Sequence, residues 1–218
     1  MKNKEIYYIV EKIKKTSQGY IFFIQSSQGT NFEMHVSKDQ FDRFDIDEGE
    51  RIDDKHFVKL REENLFDNAR RQAFALLSYG ENNKKMLISK LIDRGFSKEL
   101  SQNVADYMEH RGYIDEEKQM GLLLETYLKK KFGKIKITRE LISKGYKREA
   151  VAKFVQDEFP KIDFAANCAW IIEHKYSPIP KDQGEVKKMI ASLMNYGYSI
   201  SDIKEGIKIY TEGVKNGD

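Results

Sequence analysis

Leu91-Ile92-Asp93-Arg94-Gly95-Phe96 is written again as Leu141-Ile142-Ser143-Lys144-Gly145-Tyr146 and once more as Leu193-Met194-Asn195-Tyr196-Gly197-Tyr198, at offsets of 50 and 52 residues. A near-constant period of this length marks an array built from one supersecondary unit. A helix that stops on a left-handed residue favours glycine just past its end, because glycine has no Cβ to clash. The residue after that glycine then packs back on the chain four positions before it. The pairs are Leu91 with Phe96, Leu141 with Tyr146 and Leu193 with Tyr198, each apolar against aromatic. A new helix follows each corner. Ser97 and Ser199 suit its N-cap, and Lys147 does not.

Working outward, each corner lies between the second and third helix of a three-helix unit. In the first unit Leu65, Ala69, Ala73, Leu76 and Leu77 form one stripe from the composition switch at Glu62-Glu63-Asn64 onward. Asn82 or Asn83 caps the next helix, and Leu100, Val104, Tyr107 and Met108 line the third, which stops at Gly112. In the second unit Asp115 caps a helix that begins Glu116-Glu117 and ends Lys129-Lys130-Lys131, as the helix dipole favours. Gly133 is read as the break after it, and the third helix stops before Pro160. In the third unit Phe164, Cys168, Ile171 and Ile172 share a face, Tyr176 to Pro180 is a break, and the last helix frays from Gly213 to Asp218.

Ahead of the repeats, residues 5–36 read as strands. Ile6 to Ile13, the apolar run Tyr20 to Ile24, and the alternation of Phe32, Met34 and Val36 are separated by turns at Ser17-Gln18-Gly19 and Ser26-Ser27-Gln28-Gly29. Met1 to Glu5 leads into the first of them. The acidic stretch Asp39 to Asp54 carries Phe41, Phe44 and Ile46, which predict a short helix or turn tucked on the sheet. Arg51-Ile52 and His56 to Leu60 read as further short strands. The predicted architecture is mainly α: three tandem three-helix repeats at residues 63–111, 112–160 and 161–218 in an elongated curved array, preceded by a small β-rich module at 1–62.

One cysteine in 218 residues excludes an internal disulfide framework, and four scattered histidines form no familiar metal spacing. No leader peptide and no run long enough to span a membrane is read, so a cytoplasmic location is expected. Net charge is only +3, yet residues 117–153 hold 11 basic and 4 acidic side chains. Such a block points to a polyanionic partner or to a solvated helix face. Its members Lys129, Lys130, Lys131, Lys134, Lys136, Arg139, Lys144, Lys147, Arg148 and Lys153 are the candidate binding residues. Phe132, Tyr146 and Tyr198 are aromatics that could stack on bases, but the corner geometry already uses the last two, which argues against stacking. There is no phosphate-binding glycine loop and no nucleophile–base pair at recognisable spacing, and Cys168 lies on an apolar stripe, so neither an enzyme nor a cofactor is expected.

With these residues in view, the chain resembles the RecX family of regulatory proteins. Gly112-Tyr113-Ile114-Asp115-Glu116 is similar to that family's hinge between its first and second repeats. Gly133, Lys136, Ile137, Glu140, Leu141, Lys144 and Gly145 fall on its following motif. Ala73 to Gly95 and Lys187 to Gly197 resemble its first and third repeats, and the likeness spans about residues 64–213. Two stretches depart. Tyr79-Gly80-Glu81-Asn82-Asn83 stands where the family often has an arginine-rich run, and Gln119-Met120 stands where it usually has an aromatic and an alanine. The resemblance implies a monomeric regulator of the RecA recombinase in recombination, DNA repair and the SOS response. It would lie in the groove of a RecA–DNA filament, most simply as an inhibitor, with salt-dependent contacts to single- or double-stranded DNA. The alternative is a DNA-binding protein that acts without RecA through tandem helix-turn-helix units. Against it, the helix starts Lys98-Glu99, Arg148-Glu149 and Ile200-Asp202 alternate charge.

Overall fold

The computed structural model describes residues 6–80 and 82–216; Met1 to Glu5, Glu81, Gly217 and Asp218 lie outside the described residues. The elements run β1 (Tyr7–Thr16), β2 (Gly19–Ser26), β3 (Asn31–Val36), α1 (Lys38–Phe44), β4 (Arg51–Asp53), α2 (Asp54–Ser78), α3 (Lys84–Asp93), α4 (Lys98–His110), α5 (Glu116–Lys129), α6 (Lys134–Ser143), α7 (Arg148–Glu158), α8 (Phe164–Tyr176), α9 (Gln183–Asn195) and α10 (Ile200–Asn216). Contacts divide them into two compact units: residues 6–80 with 88–108, and residues 82–87 with 109–216.

In the first unit the three predicted strands form an antiparallel meander, and β4 adds to β1, giving the order β3-β2-β1-β4. The register sets Val10 opposite Ile24, Phe22 opposite Met34 and Tyr8 opposite Ile52, so the alternate apolar residues fall on one buried face. Gly19 closes the first hairpin at φ +143°, where a Cβ would sit 2.3 Å from the Val36 carbonyl. Helix α1 tucks on the sheet as expected. Ser37 and Gln40 form a capping box at its start, and Tyr20 stacks on Phe41 at 3.9 Å.

The segment His56 to Leu60 is not a strand. Asp53 accepts the His56 N–H at 2.8 Å and starts α2 there. Phe57 and Leu60 lie three apart on one helical face and are buried with the sheet residues, and Tyr8 stacks on Phe57 at 3.6 Å. Helix α2 therefore begins well before the composition switch at residues 62–64. Its buried stripe is Phe57, Leu60, Asn64, Ala69 and Ala73, whereas Leu65 is exposed.

All three corner glycines take the left-handed conformation, at φ +90° (Gly95), +97° (Gly145) and +92° (Gly197). The Phe96 and Tyr198 N–H groups return to the Leu91 and Leu193 carbonyls at 3.2 and 3.3 Å. Asn83 caps α3 through the Met86 N–H, and Asp115 caps α5 through the Lys118 N–H, each at 2.9 Å. Ser97 and Ser199 cap the helices after their corners, and Lys147 supplies no side-chain cap. The core of the second unit is continuous across α5 to α10, from Met120 through Leu141, Tyr146 and Cys168 to Tyr198 and Ile203. Helix α10 runs past Gly213, where fraying is predicted to start, as far as Asn216; Gly217 and Asp218 lie outside the described residues.

Candidate nucleic-acid and protein interface

The basic block belongs to the second unit and is organised by a backbone joint. Helix α5 does not break at Gly133. It stops at Lys130, and Lys131 takes the left-handed position at φ +55°. The Phe132 N–H then returns to the Tyr127 carbonyl at 3.0 Å, so this is a fourth corner of the same kind with lysine in the glycine place. Gly133 has a different duty. Its N–H donates to the Tyr196 carbonyl at 2.8 Å, and the Ile135 N–H donates to the Gly197 carbonyl at 3.0 Å. The N-terminus of α6 thus sits directly on the third corner. A Cβ on Gly133 would lie 2.4 Å from the Gly197 carbonyl carbon and oxygen, and one on Gly197 would lie 2.4 Å from Lys136 N and Cβ. The preceding joint uses a side chain instead, with Asn83 Nδ2 donating to the Lys144 carbonyl at 2.8 Å.

This joint engages three of the candidate lysines. Lys131 Nζ donates to Asn167 Oδ1 at 2.9 Å, while its carbonyl accepts the Tyr198 hydroxyl at 2.7 Å. Lys134 Nζ reaches Asp202 Oδ1 at 3.3 Å, and Lys136 Nζ lies 3.9 Å from the centre of the Phe132 ring. Asp202 is buried, which would raise its pKa. Hydrogen bonds from the Ser199 hydroxyl and N–H, together with the Lys134 ammonium, more than offset that and hold it below the usual carboxylate range.

The other candidates, Lys129, Lys130, Arg139, Lys144, Lys147, Arg148 and Lys153, are all exposed. Among the described residues none of these seven is taken up in an ion pair within 4.0 Å. They leave exposed ammonium and guanidinium groups on the termini and surfaces of α5, α6 and α7. A cleft of the first unit contrasts with this. Two of its three arginines face carboxylates, with Arg43 2.9 Å from Glu63 and Arg70 2.9 Å from Asp67.

Of the three aromatics, the two that belong to corners are buried there and unavailable to bases, as the corner geometry implies. Tyr198 is fully buried and Tyr146 is 6% exposed, its hydroxyl donating to Gln119 Oε1 at 3.2 Å. Gln119 and Met120, the departure from the family pattern, are therefore packing residues: Gln119 also donates to the Asn82 carbonyl at 3.4 Å, and Met120 is buried. Phe132 is half-buried against Tyr127 and Tyr196. An exposed ring that sequence reading passed over is Trp170, with His174 and Lys131 beside it. Cys168 is buried where desolvation, and then the nearby Asp202 charge, push its thiol up to about 12, which disfavours the nucleophilic thiolate. No helix among the described residues is long and apolar enough to cross a membrane.

Comparison with known proteins bears on this arrangement. A regulatory protein RecX of Caldanaerobacter subterraneus subsp. tengcongensis is 24% identical over 167 residues, covering 75% of this chain and 81% of that protein. The RecX protein of Chlorobium phaeobacteroides is 29% identical over 136 residues, covering 61% and 87%. No family model matches the chain. Among solved structures, a regulatory protein RecX superposes with a TM-score of 0.66 at 17% identity, covering 91% of this chain and 99% of that one. RecX from Lactobacillus salivarius superposes at 0.59 with 16% identity, covering 68% and 98%. The fold is that of the RecX proteins, and the sequence is similar to theirs.

Proposed function

We propose that this RecX-like chain is a regulator that binds RecA filaments on DNA and lowers their ATP hydrolysis and strand exchange, without catalysing a reaction itself. The observation that carries this is the double likeness, in sequence and fold, to proteins named as RecX regulators. The exposed cations of α5 to α7 supply the physical means. A filament on DNA is a polyanion, and seven unpaired cations are free to meet its phosphates or RecA carboxylates. Such contacts release counterions, weaken as salt rises and are blind to sequence. The contact surface centres on the repeat at residues 112–160, and the protein acts as a cytoplasmic monomer. Binding of this kind needs no cofactor.

Direct reading of duplex DNA by tandem helix-turn-helix units gains no support. At the start of α10 Asp202 is buried and bonded to Ser199 and Lys134, so that position does not face a groove. The test is co-sedimentation with the cognate RecA filament on single-stranded DNA across a salt series. Enrichment in the pellet that falls with salt is expected. Protein remaining in the supernatant at low salt, with filaments intact, would refute the reading.

A further inference from the structure

Trp170 is the only tryptophan of the chain. It lies on α8 and is 43% exposed. Its indole stacks on the imidazole of His174, with ring centres 3.8 Å apart and planes 18° from parallel. The Lys131 ammonium lies 5.1 Å from the indole centre. One residue beyond His174, the Lys175 ammonium donates to the Tyr196 hydroxyl, and the Tyr196 ring lies 5.9 Å from the Lys136 ammonium. Flat rings and three ammonium groups thus alternate over one face, built by α8, the α5–α6 joint and the third corner. The Glu173 carboxylate lies 3.9 Å from His174 Nδ1 and is itself largely exposed.

We propose that this face is a binding site for single-stranded nucleic acid. An unpaired base extends the Trp170–His174 stack, while Lys131, Lys136 and Lys175 meet the flanking phosphates. Exposed rings decide the class of partner. Unpaired bases offer faces that stack on aromatic side chains, whereas duplex bases are already stacked on one another. An acidic protein segment would engage the ammonium groups and leave the rings idle. The proposal rests on the functional reading above only in placing nucleic acid beside this protein.

The single tryptophan makes the test direct. Intrinsic fluorescence of the full chain is titrated with an oligothymidylate, with an abasic oligomer of equal length and charge, and with polyglutamate. Quenching by the oligothymidylate well beyond that by the other two is expected. In anisotropy with a labelled oligothymidylate, Trp170→Ala is expected to weaken binding about tenfold, the range of one lost base stack, and to leave the abasic oligomer unaffected. Trp170→Phe should retain most of the affinity, which separates stacking from a folding defect, and Lys175→Gln should flatten the salt dependence. Equal quenching by all three polyanions, or unchanged affinity in Trp170→Ala, would overturn the site and leave a plain cationic surface. Co-sedimentation with RecA runs in parallel. Wild type that pellets with RecA but ignores the oligothymidylate overturns this site alone. Quenching without pelleting upholds the site and removes the RecA reading instead.

Discussion

Three glycines of the second unit separate two physical costs that usually come mixed. Gly145 has φ +97°, and the nearest atom to an added Cβ is the flexible Lys85 Cδ at 3.3 Å. Gly145→Ala therefore carries left-handed strain with little overlap, about 1–2 kcal/mol. Gly133 has an ordinary φ of −83°, but its Cβ would overlap the Gly197 carbonyl carbon and oxygen at 2.4 Å. Relief requires the α6 start and the third corner to separate, which loses the Gly133–Tyr196 and Ile135–Gly197 backbone bonds of 2.8 and 3.0 Å. At a typical net value per bond, Gly133→Ala costs about 1–3 kcal/mol with no strain in it. Gly197, at φ +92° and 2.4 Å from Lys136 N and Cβ, carries both costs. Gly197→Ala should then cost about 2–5 kcal/mol, the sum of the strain and the two lost bonds. Urea unfolding followed by circular dichroism at fixed slope measures all three. A neutral Gly133→Ala, or a Gly197→Ala no worse than Gly145→Ala, would refute the close joint between α6 and the third corner.

Asp202→Asn should destabilise the second unit by about 1–3 kcal/mol at neutral pH, since it weakens a buried cap and breaks the pair with Lys134. The wild-type carboxyl is held below its ordinary range when folded, so its contribution is present above the unfolded-state pKa and is lost as pH falls through the folded value. The stability gap between wild type and Asp202→Asn should accordingly close below about pH 4, and a gap constant from pH 7 to pH 3 would contradict this assignment. The Cys168 thiol, buried and pushed up to about 12, should resist a thiol reagent in the native protein and react at once in denaturant. Rapid native labelling would place it outside the core.

Local signals carried most of the fold. A glycine followed by an aromatic, with a leucine before it, states a helix corner within six residues, and all three corners form as stated. Features that depend on tertiary contact were not legible. Lys131 occupies a left-handed position that its residue type disfavours, held there by Tyr198, Asn167 and Trp170, which lie far along the chain. His56 to Leu60 is short, and its apolar residues Phe57, Val58 and Leu60 suit either a strand or a helix; the decisive signal was Asp53, an N-cap residue three before His56. In the basic block the sequence set all ten cations on equal terms. The structure divides them, because Lys131, Lys134 and Lys136 fall at a joint whose partners come from α8, α10 and the third corner. Trp170 was passed over for the same reason, since Lys131 reaches it from the α5–α6 joint.

The proposed action on RecA is tested most directly by DNA-dependent ATP hydrolysis by the cognate RecA on single-stranded DNA, with increasing amounts of this protein. Arg139 and Lys147 are exposed and lie outside the joint, so Arg139→Glu with Lys147→Glu removes surface charge without touching the packing of α6 on the third corner. Wild type should lower the hydrolysis rate, less so at high salt, and the folded double variant should lower it less. RecA activity unchanged by an excess of wild-type protein at low salt would contradict the central claim.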